Sequence, residues 1–318
     1  MSQTFINARL DQIEKRFNEV QLLLDLALIS IDNEDAYRAL CRSAHVLLVS
    51  HFEGLYKEIC RDVIDDINMN TSFFEVKKNI FNSHCEYFIH TKESDKSVTN
   101  IKLRLWEAFK EYPSKLRVEP FLFVDNKNPT PVIVETILGK FGIRNFFKSI
   151  EGSDLDLVFE DQKSAINKLR NRLSFYVQKS TNAYPYTVDT SFYNPKIKED
   201  CKKNITLWED FLNNFLKERH NIIHGNTIGN PNDNESLSKA KIKLEILIYA
   251  FIINICSVAN PTFLLNEEMQ SSLDENQMPS PYDEPEILID DDSEPAMATI
   301  EQKSQLPFLA SIVLDLPI

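Results

Sequence analysis

The sequence predicts an all-α protein, and three observations carry that reading. Glycine occurs only six times in 318 residues, too few for a chain built on tight turns. The first 112 residues contain no proline and a single glycine, Gly54, so little interrupts long helices there. Apolar residues also recur at steps of three and four, the period of one buried helix face.

Taken in order, Ile13, Phe17, Val20, Leu24, Ala27 and Ile31 mark the apolar face of a first helix, which Asp32-Asn33 breaks. A second helix, roughly 35–68, carries Leu40, Ala44, Leu47, His51, Leu55 and Ile59 in one seam. Two long helices with a short polar connection imply an antiparallel hairpin. Further helices near 72–90 and 98–111 lead into a proline-bearing stretch, Pro113 to Pro131, whose run Phe121-Leu122-Phe123-Val124 reads as a short strand or a packed loop. Helical patterning resumes over 132–150 and 155–178, followed by an aromatic loop with Tyr184, Tyr186, Phe192 and Tyr193. A helix of about 196–221 places Leu207, Phe211, Leu212, Phe215 and Leu216 on one side. The last strong helix, about 235–260, is apolar on nearly all sides and belongs in the core or in a partner interface. The expected organisation is a helical domain over 1–265 with a middle insertion at about 113–195, then a tail over 266–318.

The formal charge of −13 is concentrated in that tail. Residues 266–318 hold thirteen carboxylates against one cation, Lys303, which leaves the rest of the chain nearly neutral. A neutral body neither argues against a polyanionic ligand nor supports one. From Asn266 onward Pro, Ser, Asp and Glu dominate, the composition of a largely disordered segment, before Leu306 to Ile318 turn apolar. A solubilising tail is the plain reading; the sharper one has Asp290-Asp291-Asp292 occupying a polyanion-binding cleft. Five cysteines without a CxxC pair suit reduced thiols. Met1-Ser2-Gln3-Thr4 runs into an amphipathic pattern without the features of a secretory signal. The longest strongly apolar run, Ile246 to Cys256, is short of the ~20 residues of a membrane span. A cytoplasmic location away from the membrane is expected.

The candidate chemistry lies in Arg219-His220-Asn221-Ile222-Ile223-His224-Gly225, at the end of one helix and ahead of the apolar one. Phosphodiester cleavage without a metal needs a proton-transfer group near neutral pKa and a cation for the phosphate, and histidine and arginine meet those needs. On an ideal helix, residues five apart are separated by about 140°. Arg219 and His224 therefore share a face only if the helix ends or distorts there, as Gly225 allows. Alternatively, a two-fold dimer brings two copies of the motif to one cleft. The plainer reading is a surface cation and a helix-capping histidine. His220 and His224 also have a zinc-binding spacing, but Asn221 stands where H-E-x-x-H has glutamate. His51 reads as a satisfied core or interface histidine before a second base, Glu53 and Lys57 as an i, i+4 pair, and the aromatic loop as packing before base stacking.

The motif resembles the signature of the HEPN superfamily, in which arginine is followed by four to six residues and a histidine, usually with a polar residue directly after the arginine. Arg219 and His224 match the invariant pair, and His220 and Asn221 the polar positions. Ala44 to Gly54 looks like the second helix of RiboL-PSP-type HEPN nucleases, and Lys140-Phe141-Gly142-Ile143 resembles a short element upstream of their motif. The resemblance covers roughly residues 5–260. It implies a HEPN-like helical bundle that dimerises, with two motifs facing a cleft that cuts RNA without metal or cofactor. His224 moves protons in that mechanism, Arg219 holds the phosphate, and His220 or Asn221 orients the pair. A toxin or antiviral defence effector, with an antitoxin or defence-system partner, is the implied setting. The alternative is a non-catalytic HEPN module that binds RNA, a nucleotide or a partner protein. A toxin subgroup has a nucleotidylated tyrosine two positions after the histidine; here that residue is Asn226, which puts such regulation in doubt.

Overall fold

The computed structural model describes residues 3–88, 101, 104–105, 114–123, 128–160, 162–193, 205–225 and 232–261. The chain divides into two units, Met1–Ser271 and Ser272–Ile318, and every described residue belongs to the first. The acidic segment 266–318, most of the expected helix 98–111, Val124, Cys201 and Asn226 lie outside the described residues. What is described is all-α, with no strand among the described residues.

Helix α1, Phe5–Ile29, starts at Thr4, whose side chain accepts from the Asn7 amide. It buries Ile13, Phe17, Val20, Leu24 and Ala27, the predicted face; Ile31 falls beyond the helix and is exposed. Asn33 then caps α2, Glu34–Asn70, by accepting from the Ala36 amide. The two run antiparallel, as the cross-links between them require. Arg9 pairs with Glu58 at 3.0 Å and Asp62 at 2.6 Å, Arg16 with Glu58 at 2.7 Å, and His51 meets Glu19 at 2.9 Å. His51 is thus satisfied at the α1 contact, and Glu53 pairs with Lys57 as expected. The deep seam of α2 lies to one side of the predicted one, through Cys41, Ala44, His45, Leu48, Phe52, Leu55 and Ile59.

Helix α3 spans Lys78–Phe88. The run beginning at Phe121 is a packed loop: a single 3-10 turn, Glu119–Phe121, buries Phe121. The single helix expected over 132–150 is two, α4 (Pro131–Phe141) and α5 (Phe146–Ile150). Gly142 breaks it at φ 92°, with the Ile143 amide reaching back to the Leu138 carbonyl at 2.9 Å. A Cβ at Gly142 would collide with the Asn79 side chain of α3. The expected element 155–178 likewise divides, into a 3-10 turn, Asp154–Phe159, and α6, Lys163–Ser180.

The aromatic loop packs on the bundle. Tyr184 donates to the Ala259 carbonyl at 2.9 Å, and Tyr186 donates to Asp66 at 2.7 Å. Asp66 also accepts from the Phe5 and Ile6 amides and so fixes the start of α1. Phe192 stacks on Tyr176 with ring centroids 3.9 Å apart; the Tyr193 side chain lies outside the described residues.

Helix α7, Leu207–Ile223, begins at Thr206 and not near 196. Thr206 and Glu209 form a reciprocal capping box, which satisfies two amides that an earlier start would have used inside the helix. Leu207 is therefore on the outside, and Trp208 takes the buried place. Helix α8, Asn234–Val258, is buried on nearly every side against α1, α2 and α6, as its all-round apolar sequence predicts. Cys41, Cys60, Cys85 and Cys256 are buried thiols. No helix among the described residues is long and apolar enough to cross a membrane.

Candidate active site

Helix α7 carries the motif on its last turn and packs against α2. The helix holds through Ile223; His224 is its C-cap, with its amide bonded to the His220 carbonyl at 3.1 Å. Gly225 follows at φ 67°, the left-handed conformation that ends a helix. The expected ending is present, but the helix holds through Ile223 and only the residue after the histidine leaves the right-handed conformation, too late to move His224 off its helical position. Arg219 and His224 therefore keep close to their helical separation of about 140°, and no hydrogen bond joins them among the described residues.

The two halves of the motif face different surroundings. Arg219 is half-buried: its Nη1 donates to Oδ1 of Asn128 at 3.1 Å, and its Nε is buried without a hydrogen-bond partner among the described residues. His220 and His224 are exposed, one turn apart on the same face, with ring centroids 4.2 Å apart. Asn221 is half-buried beside them, and no hydrogen bond ties it to Arg219 or His224. Among the described residues, no group of three or more His, Cys, Asp or Glu side chains is placed to hold a metal ion.

Three residues that sequence reasoning did not single out surround the motif helix. Asn128 lies at the entry to α4, where its carbonyl accepts from Thr130, the cap of that helix. Asn232 lies at the entry to α8, just before its cap Asp233; its amide donates to the Glu218 carboxylate and faces Nδ1 of His45 at 3.4 Å. His45, wholly buried on α2, stacks on Phe215 with centroids 4.1 Å apart and an interplanar angle of 19°. Its Nε2 lies 3.0 Å from the Phe215 carbonyl. Burial pushes the His45 imidazole down to about 4 despite that hydrogen bond, and the Arg219 charge acts in the same direction. The asparagines carry no motif; their role comes only from the helix starts that place them.

Beside the motif an apolar groove opens between α1, α2 and α7, lined by Leu23, Val46, Leu47, Ile222 and Ile223 with Arg42 among them. Ile223 is 47% exposed, and α1 exposes Leu22, Leu26 and Ile29. Apolar surface of this kind on a helical body is what an interface uses.

Compared with curated proteins and with solved structures, the chain finds no match in either. The profile of the RiboL-PSP-HEPN family, by contrast, matches residues 11–257, a span that contains most of α1, all of α2 through α7, the whole motif and nearly all of α8, and the chain belongs to that HEPN family.

Proposed function

We propose that this protein is an endoribonuclease that cuts RNA through attack of a ribose 2′-hydroxyl on the neighbouring phosphate. Family membership supports a nuclease or RNA-related role, and the single observation that carries the finer reading is the ending of α7. Two exposed imidazole-bearing residues, His220 and His224, stand at a helix terminus beside an arginine that Asn128 holds in place. In the reaction the 2′-oxygen bonds to phosphorus as the bond to the 5′-oxygen breaks, which leaves a cyclic phosphate and a 5′-hydroxyl. His224 transfers the protons, taken from the 2′-hydroxyl and delivered to the 5′-oxygen. Arg219 binds the phosphate and stabilises its developing charge, and His220 and Asn221 orient the pair. No step calls for a metal or cofactor.

Within one chain Arg219 faces inward and His224 outward, so the reading places the work in a homodimer whose two motifs share a cleft. The groove of Leu23, Val46, Leu47, Ile222 and Ile223 supports that interface. A toxin or antiviral effector in the cytoplasm, restrained by an antitoxin or another defence-system protein, fits such an activity. The half-buried arginine, with its Nε out of reach, favours a second reading: a non-catalytic module that binds RNA, a nucleotide or a partner protein.

The test uses EDTA-treated protein and an end-labelled RNA. Cleavage giving cyclic phosphate and 5′-hydroxyl ends is expected, and Arg219→Ala and His224→Ala are each expected to abolish it. Wild type and variants that bind RNA equally without cutting it would establish the non-catalytic module instead.

A further inference from the structure

We propose that His45 is a positioning residue for Arg219: from α2 it grips the turn of α7 that carries the arginine and fixes where the guanidinium stands. This rests on the nuclease reading of the motif but is carried by geometry of its own. The Phe215 carbonyl can only accept, so Nε2 of His45 is the protonated nitrogen and donates to it at 3.0 Å. Phe215 lies four residues before Arg219, and in an α-helix its carbonyl also accepts the Arg219 backbone N–H. One oxygen thus ties His45 to the backbone from which the arginine projects.

The other imidazole nitrogen completes the grip. Nδ1 carries the lone pair and faces the Asn232 amide nitrogen at 3.4 Å, while the same amide donates to the Glu218 carboxylate, next to Arg219. A chain of contacts therefore runs from the Phe215 carbonyl through His45 and Asn232 to Glu218, and brackets Arg219 on the residues before it. An apolar ring would stack on Phe215 equally well and without the cost of burying two ring nitrogens. The polarity of His45 is spent on holding this turn, as a supporting group orients a catalytic one. The charged groups facing it are Arg219 and, through Asn232, Glu218.

The test is a pair of measurements on the full chain. His45→Phe keeps the stacked ring and loses both polar contacts. It is expected to fold with an unchanged melting temperature at pH 7.5, while kcat for RNA cleavage falls roughly 10- to 100-fold and KM stays near wild type. His45→Gln, which keeps a donor, is expected to recover part of the loss, and it replaces the phenylalanine variant if that one fails to fold. Unchanged kcat in a folded variant overturns the proposal. The second measurement needs no cleavage: the His45 ring is titrated by NMR in wild type and in Arg219→Gln. Removing the cation is expected to raise the imidazole pKa, and an unmoved titration overturns the coupling. If wild type cuts no RNA, the nuclease reading fails while the NMR result still decides whether His45 and Arg219 act on each other.

Discussion

At the scale of single residues, buried polar groups make the clearest predictions. His45 titrates near 6.5 in an ordinary setting and is lowered to about 4 in the fold. A depressed folded-state value means that burial holds the ring neutral, so the fold carries no penalty from it above about 6.5 and loses stability as the pH falls from there through about 4. That shift corresponds to roughly 3 kcal/mol. Wild type is therefore expected to lose melting temperature across that window, and His45→Phe to show a flatter profile there. Tyr56 makes the opposite case. Its ring packs edge-on against Phe52 and Phe251, and its hydroxyl is buried with no hydrogen-bond partner among the described residues. Tyr56→Phe removes an unpaid desolvation cost and is expected to raise stability by about 1 kcal/mol, read as a higher urea midpoint. Neither residue was legible as special in the sequence. His45 stands in the segment that resembles the family's second helix, yet the apolar spacing places His51 in the seam and not His45, because a period of three or four marks a face without saying how deep each position on it lies.

Individual helices were legible to the extent that local chemistry sets them. The faces of α1 and α8 followed from spacing alone, since a helix has one geometry and water selects which side is buried. Their partners' ends were harder. The start of α7 is written locally, as Thr206 with Glu209 three residues on, whereas apolar periodicity alone places it near 196. The break after α4 needs Gly142, whose left-handed conformation and contact with α3 come from the tertiary fold. At the motif, Gly225 has φ 67° and open space where a Cβ would stand. Gly225→Ala is therefore expected to cost about 1 kcal/mol through backbone strain alone, read by urea denaturation. It should also fray the turn that presents His224, so RNA cleavage should fall by more than the loss of folded protein explains.

For the whole molecule the decisive matter is what the motif faces. The shared-cleft reading predicts a dimer by analytical ultracentrifugation. Ile223→Asp, at the edge of the apolar groove, is expected to give a folded monomer without cleavage activity. Mixed dimers of Arg219→Ala with His224→Ala are expected to regain part of the activity, since one intact arginine then meets one intact histidine across the interface. A fully active monomer would overturn the shared cleft. By itself the sequence determined the all-α class, the hairpin of the first two helices, the buried last helix and the place of the motif at a helix end. All of these follow from composition, spacing and residues adjacent in the chain. Only the tertiary structure decided that Arg219 turns inward to Asn128 while His220 and His224 stay outside, and that His45 and Asn232 hold the turn between them. Those contacts join residues 91 to 187 positions apart, and their partners are chosen by how helices pack, which no local pattern encodes.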